Sequence, residues 1–323
     1  MSGPDRGGLH PDPDDPNEPR PDPATWTPLL TATASSTALA CYRDALRLDG
    51  SVRAGVVRDL ADYYEFTDDQ VVHRCVHWEE WSTEEWLSEE RSTADAINDF
   101  YRTTRSWSFD LLWFAYLQAE MYRYPVSAAI ATSLAERGRV SGRHLDFGCG
   151  VGVTSQMFSR LGFESEMADI STSMLDFAQF RTRRRAESIR SIDLNDEAIQ
   201  AGQYDVVTAI DTLVHIPDLE RVLCELHAAI APGGRLFANF AVRPRTAENS
   251  QFLYDDELPL RRMIQRVGFE QRRRLDGMIT EYERVEPTGW RHLARRARTA
   301  VALSPLRPIA KNARARVRSA LRR

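Results

Sequence analysis

Lysine is nearly missing from these 323 residues: Lys311 is the single one, and every other fixed cation is an arginine. That bias points to a GC-rich genome and assigns no activity. Cysteine is scarce as well. Cys41, Cys75, Cys149 and Cys224 show no CxxC or framework spacing, so free thiols in a reducing compartment are expected. No run of about 18 apolar residues occurs, so no segment is expected to cross a bilayer. The first residues lack the apolar stretch of a signal peptide. The expected location is the cytoplasm, and the length suits one large domain with additions, or two small ones.

Proline and charge are unevenly placed. Eight of the 16 prolines fall in the first 30 residues together with six acidic side chains, so residues 1–35 are expected to be disordered. At the other end, Trp290 to Arg323 holds ten arginines and Lys311 with no acid. Residues 1–289 carry 31 basic against 47 acidic side chains, so the modest net charge of −5 hides an acidic body and a basic end. In that end Trp290, Leu293, Ala297 and Val301 share a helical face; Pro305 and Pro308 interrupt, and Ile309, Ala313, Val317 and Leu321 form a second stripe. Basic amphipathic helices of this kind lie on anionic membrane surfaces. A helix docked on the acidic body, or a solvated tail, fits the same pattern. Nucleic acid is a poorer partner, because the acidic body repels phosphates.

The densest signal is His144-Leu145-Asp146-Phe147-Gly148-Cys149-Gly150-Val151-Gly152. It reads as a short buried strand entering a glycine-rich turn, with a helix from Thr154 to Arg160. Three alternate glycines let the backbone bend sharply and approach a ligand, and the helix N-terminus behind offers unpaired N–H groups to an anion. A second strand, Phe163 to Ile170, contains Asp169, 23 residues after Asp146. A carboxylate at such a tip binds both hydroxyls of a ribose. Ser171 and Ser173 are placed to cap a helix carrying Met174, Leu175, Phe177 and Ala178. A third strand tip follows at Ser191–Leu194. A fourth strand, Tyr204 to Ile210, leads into Asp211–Asp218. A helix over Leu219–Ile230, a turn at Ala231–Gly234 and a fifth strand over Arg235–Val242 complete the pattern. This order implies an α/β, doubly wound, mostly parallel sheet.

These landmarks resemble the class I S-adenosylmethionine-dependent methyltransferases over about residues 126–285. Asp146-x-Gly148-x-Gly150-x-Gly152 matches the family's first motif, Asp169 its ribose-binding acid, and Asp193 the position that meets the adenine amino group. Asp211–Asp218 looks like its segment after strand four, and Pro232-Gly233-Gly234 like its turn before strand five. The family's closing helix and antiparallel strand pair fit Leu258–Gly268, Phe269–Leu275 and Met278–Val285. The resemblance implies a Rossmann-like seven-stranded sheet with S-adenosyl-L-methionine as cofactor. It implies binding by Asp146, Gly148, Gly150, Gly152, Asp169, Ile170, Met174, Asp193, Leu194 and Asp211. Asp146 has two readings: it orders the glycine turn through backbone N–H groups, or it reaches the cofactor's amino end through water. Gly150→Val is expected to abolish cofactor binding by filling the ligand's space. A nicotinamide-dependent oxidoreductase shares the turn and Asp169, but it more usually shows Gly-x-Gly-x-x-Gly, and Val153 stands at that third position here. A non-catalytic cofactor-binding protein would also keep the glycines.

Residues 36–125 read as a helical cap, 126–288 as the methyltransferase core and 289–323 as the basic extension. Thr67-x-x-Gln70, Ser82-x-x-Glu85 and Ser92-x-x-Asp95 resemble capping boxes, predicting three helix starts. Trp78, Trp81, Trp86, Trp107 and Trp113 fall in the cap with Phe100, Tyr101, Phe109, Phe114, Tyr116, Tyr122 and Tyr124. They pack helices together, or some line an acceptor pocket, with Tyr101, Tyr122 or Tyr124 binding the methionine carboxylate. His73-x-x-x-His77, around Cys75, has the i, i+4 spacing of zinc ligands. It lacks HExxH and an obvious third ligand, so no metal is expected. His215 is placed to act as general base on a hydroxyl acceptor or to be structural, and Asp211 to position substrate. The acceptor class is a small molecule, glycan or lipid-linked compound, methylated on oxygen or nitrogen.

Overall fold

The computed structural model describes residues 34–89, 93–120, 125–240, 253–275 and 279–286, with isolated positions 242, 293 and 297. Most of the terminal segments, including the basic extension, lie outside the described residues, as do Tyr122 and Tyr124.

Seven described helices precede the sheet: α1 (Ser36–Leu46), α2 (Val52–Tyr64), α3 (Asp68–Val76), α4 (Trp78–Ser88), α5 (Ala94–Thr103), α6 (Ser106–Glu120) and α7 (Val126–Ala135). Their starts follow from side chains that satisfy orphan N–H groups. Thr67 forms the expected capping box: its hydroxyl accepts from Gln70 N at 3.3 Å while Gln70 Oε1 accepts from Thr67 N at 2.9 Å. Two other expectations are corrected. Ser82 lies in the middle of α4, where its hydroxyl donates to Glu79 O. Glu85 instead caps α6, with its carboxylate accepting from Thr104 Oγ1 and from the N–H groups of Arg105 and Ser106 at 2.9–3.1 Å. The third start is capped by Thr93 rather than Ser92, which lies outside the described residues.

The sheet then alternates with helices: β1 (Gly142–Phe147), α8 (Val153–Arg160), β2 (Phe163–Asp169), α9 (Thr172–Arg184), β3 (Arg190–Asp193), β4 (Tyr204–Ala209), α10 (Leu219–Ala229), β5 (Ile230–Ala238), α11 (Glu257–Val267), β6 (Phe269–Leu275) and β7 (Ile279–Arg284). The strand order is β3-β2-β1-β4-β5-β7-β6. The first five strands are parallel, and β7 is antiparallel to both neighbours. The reversal of strand order beside β1 creates the crevice where open α/β sheets bind ligands. Period-two alternation divides β1 between two cores. Leu145 and Phe147 join Leu223, Leu226 and Leu236 on one face. His144 on the other stacks on Phe158 with ring centroids 3.9 Å apart. That face also carries the larger core, in which Trp113, Phe109 and Leu60 of the cap meet Phe158 and Phe177.

One boundary differs from the expectation. β5 begins at Ile230, directly after α10, and Ala231–Gly234 bulges out of the strand instead of preceding it. Tyr204 pairs with Ile230 and Val206 with Arg235, so the intervening residues loop out of register. Pro232 has no N–H to give a ladder, and Gly233 takes φ +77°.

Candidate functional site

The glycine turn leaves β1 between the tips of β2 and β4. Gly148 N and Cys149 N donate to Ala168 O at 2.8 and 3.2 Å. The three glycines adopt φ +69°, +50° and +76°, a left-handed backbone that other residues occupy at a cost. Their lost Cβ atoms make room first for protein. A Cβ on Gly148 would overlap Thr212 at 2.2 Å, one on Gly150 would meet Leu111 Cδ1 at 2.8 Å, and one on Gly152 would meet Met167 Sδ at 2.8 Å and Ala178 Cβ at 3.0 Å. Beside Gly150 that neighbour is the tip of a side chain of the cap, Leu111 of α6.

Asp146 meets a backbone N–H as well as side chains, that of Ser155 just after the glycine turn. It is 4% exposed, and its oxygens accept from Ser155 Oγ at 3.0 Å and Thr208 Oγ1 at 2.8 Å. It therefore ties β1 to β4 and to the start of α8. Burial outweighs these donors and pushes its carboxyl up to about 6. Behind it, Thr208 spends its proton on Asp146, so it must accept from His144 Nε2–H at 3.0 Å; Ser165 Oγ then donates to His144 Nδ1 at 2.8 Å. Burial holds this imidazole down to about 3.

Asp169 is 8% exposed. One oxygen accepts from Gly150 N at 2.8 Å and the other from Ser171 N at 2.9 Å. The Ile170 N–H also favours the charged form, and the carboxylate, with about four acceptor sites, keeps capacity for a further donor; burial raises the carboxyl above its ordinary range despite those bonds. Asp193 sits level with Asp169 on the next strand. Burial works to raise its carboxyl, but donors from Thr172 and from both nitrogens of Asn195 hold it below the usual value. Leu194 N donates to Asp169 O at 2.9 Å. Ile170 O accepts from Asn195 Nδ2, and its side chain packs on the cap's Trp86, Phe100 and Tyr101. Met174 is buried at the start of α9, its sulfur 4.0 Å from where a Gly150 Cβ would stand.

His215 closes a 3₁₀ turn, Leu213–His215, after β4. The rings of Tyr101 and Trp107 lie 6.3 and 6.2 Å from its ring, and 5.0 Å from each other. Cap aromatics thus reach both the residue after Asp169 and the histidine after β4. Tyr101 is 8% exposed, and its hydroxyl finds no hydrogen-bond partner among the described residues. It belongs to this cluster, which also holds Trp86, Phe100 and Ile170. Asp211 is exposed, with φ +53°. Asn239, at the end of β5, holds that strained backbone: its Oδ1 accepts from Asp211 N at 2.7 Å, and its Nδ2 donates to the Asp211 carboxylate. Away from the crevice, His73 and His77 are exposed with Cys75 buried between them. No group of three or more His, Cys, Asp or Glu able to hold a metal occurs among the described residues.

Residues 118–276 match a family model described as a methyltransferase domain. The chain carries a class I methyltransferase domain. Curated relatives include a ubiquinone biosynthesis O-methyltransferase of Cupriavidus pinatubonensis, 32% identical over 29% of this chain and 39% of its own length. A magnesium-protoporphyrin O-methyltransferase of Rhodobacter capsulatus is 37% identical over 32% of this chain and 46% of its own length. The chain thus spans less than half the length of these relatives. Among solved structures, magnesium protoporphyrin IX methyltransferase from Synechocystis, with bound SAH, has 22% identity and a TM-score of 0.39 over 49% of this chain and 81% of its own.

Several residues of the methyltransferase domain's crevice were missed in the sequence. Ser155, Thr208, Asn195 and Asn239 are isolated small polar residues whose partners lie 2 to 62 positions away. Only the Asp193-x-Asn195 spacing, an Asx-type turn in which Asn195 N donates to the Asp193 side chain, offered a local signal.

Proposed function

We propose that this chain transfers a methyl group from S-adenosyl-L-methionine to a small-molecule acceptor, on an oxygen in the first instance. The observation that carries the reading is Asp169, a buried carboxylate at the tip of β2, oriented by backbone N–H groups of Gly150 and Ser171 so that it can accept from ribose hydroxyls. Asp193, Leu194 and Ile170 would hold the adenine side, and the turn Gly148–Gly152 with Met174 the methionine side. S-adenosylmethionine, when bound, supplies a methyl group on a sulfonium, and the sulfur keeps the bonding electrons as the methyl leaves. His215 receives the proton of an acceptor hydroxyl as the new oxygen–carbon bond forms, a contribution of about 10²–10⁴ in rate. Asp211, fixed by Asn239, orients the acceptor. The rings of Tyr101 and Trp107 give that acceptor an apolar wall, and alignment itself supplies much of the acceleration. One relative is named for O-methylation in ubiquinone biosynthesis and another as a magnesium-protoporphyrin O-methyltransferase, which favours a conjugated, largely apolar acceptor here.

On this reading residues 36–125 form the acceptor-side cap, 126–288 the methyltransferase core and 289–323 an extension that rests on an anionic membrane surface. The arginine-rich double stripe supports the last point; a lipid-linked acceptor would then meet the crevice at the membrane. Isotope-labelled S-adenosylmethionine with a panel of phenols and quinols tests the activity, and label transferred to no oxygen nucleophile would contradict it. Flotation with phosphatidylglycerol vesicles tests the extension. Binding lost on deleting 290–323 is expected, and no binding by the intact chain would refute it.

A further inference from the structure

Arg181 of α9 is fully buried and divides its guanidinium among three segments. Nη1 donates to Val151 O, inside the glycine turn, at 2.5 Å. Nη2 donates to Ala45 O in the last turn of α1 at 2.8 Å, and Nε to Asp59 Oδ2 of α2 at 3.1 Å. Arg185, one helical turn on, donates to the same Asp59 oxygen at 2.7 Å and to Leu46 O at 2.9 Å. The last carbonyls of a helix have no partner within it, so these two arginines finish α1 and at the same time anchor α2. The crossing is close: a Cβ on Gly55 of α2 would stand 2.5 Å from Leu46 O. The turn around the Val151 carbonyl is built from three glycines, the residue type with most backbone freedom to lose.

We infer that Arg181 is a positioning residue for the cofactor turn, held in place by Asp59 and the end of α1, so that the N-terminal helices form part of the cofactor site. The inference rests on the cofactor reading above. Arginine alone suits the position, because its planar fork sends donors in three fixed directions; a lysine ammonium keeps the charge and loses that geometry. Leu111 of α6, against Gly150, is a second cap contact on the same turn. A cap that merely covered the acceptor could be loosened without changing cofactor affinity. A cap that sets the Val151 carbonyl could not.

The test is titration of the full chain with S-adenosylhomocysteine, comparing wild type with Arg181→Lys and Asp59→Asn. Arg43→Gln serves as control, since Arg43 joins α1 to Ala119 O and Glu120 within the cap without touching the turn. The dissociation constant should rise about tenfold or more in the first two variants and stay within about twofold in the control. Equal weakening in all three, or folded Arg181 and Asp59 variants that bind like wild type, would overturn the inference. Hydrogen exchange on the wild type tests it without any variant. Coupling is reciprocal, so saturating ligand should slow exchange in α2 and at the end of α1; unchanged exchange there would overturn the inference even if the variants fail to fold. A wild type that binds no S-adenosylhomocysteine would overturn the cofactor reading itself.

Discussion

Gly152→Ala separates two explanations of a glycine-rich turn: room for a ligand, or room for the protein. Gly152 stands at φ +76°, and moving an ordinary residue into that region costs about 1–2 kcal/mol. Its new methyl would stand 2.8 Å from Met167 Sδ and 3.0 Å from Ala178 Cβ. Met167 is fully buried, and Ala178 has no rotamer to change. Overpacking of this kind costs about 1–3 kcal/mol, so the total is about 2–5 kcal/mol. Gly202→Ala provides the comparison, since its φ is +68° and nothing lies within 4 Å of the added methyl; it should cost the backbone strain alone. For a domain of this size about 2–4 °C is lost per kcal/mol. Thermal melts without ligand should place Gly152→Ala below Gly202→Ala by roughly 2–12 °C on that scale. A Gly152→Ala melt equal to that of Gly202→Ala, or a deficit seen only with ligand, would refute the reasoning.

Asp146 and His144 give a pH prediction of opposite signs. The carboxyl, ordinarily at 3.8, is pushed up to about 6. Its contribution is fully present below the unfolded value and is lost as pH rises through 6. The imidazole, ordinarily at 6.5, is held down to about 3, so its contribution is lost as pH falls below 6.5. In urea unfolding, the stability of Asp146→Asn relative to wild type should therefore rise by about 2 kcal/mol from pH 4 to pH 7; a flat difference would contradict the burial of this carboxyl. Tyr101→Phe removes a buried hydroxyl with no hydrogen-bond partner among the described residues, and should raise the ligand-free stability by about 1 kcal/mol; thermal melting checks this, and a drop would mean the hydroxyl is already bonded. His215→Gln should lower turnover of a hydroxyl acceptor by about 10²-fold or more with S-adenosylhomocysteine affinity unchanged by calorimetry; unchanged turnover would remove the base.

The parallel sheet was legible through its punctuation: the glycine turn after β1, the acids at the tips of β2 and β3, and the Ser171 cap of α9. Asp146, Asp169 and Asp193 were legible for the same reason: they end strands, and consecutive parallel strands bring their ends together. The cap was harder to read. Ser82 and Glu85 have capping-box spacing, yet tryptophans on both sides let α4 run through Ser82, and Glu85 was left to cap a helix 21 positions away. Asn239 and Arg181 carried no local signature, since their partners are set by the sheet order and by the docking of α1 and α2. The bulge in β5 was hidden because Pro-Gly-Gly signals a turn whether it ends a strand or interrupts one.

The central claim is that Asp169 and the glycine turn form a site for S-adenosylmethionine. It is tested most directly by calorimetric titration of wild type and Asp169→Ala with S-adenosylhomocysteine, with NAD as control. Two hydrogen bonds to a carboxylate at about 1.5–3 kcal/mol each predict binding by the wild type, a loss of at least about 100-fold in the variant, and no heat from NAD. Equal binding by wild type and variant, or binding of NAD alone, would contradict the account.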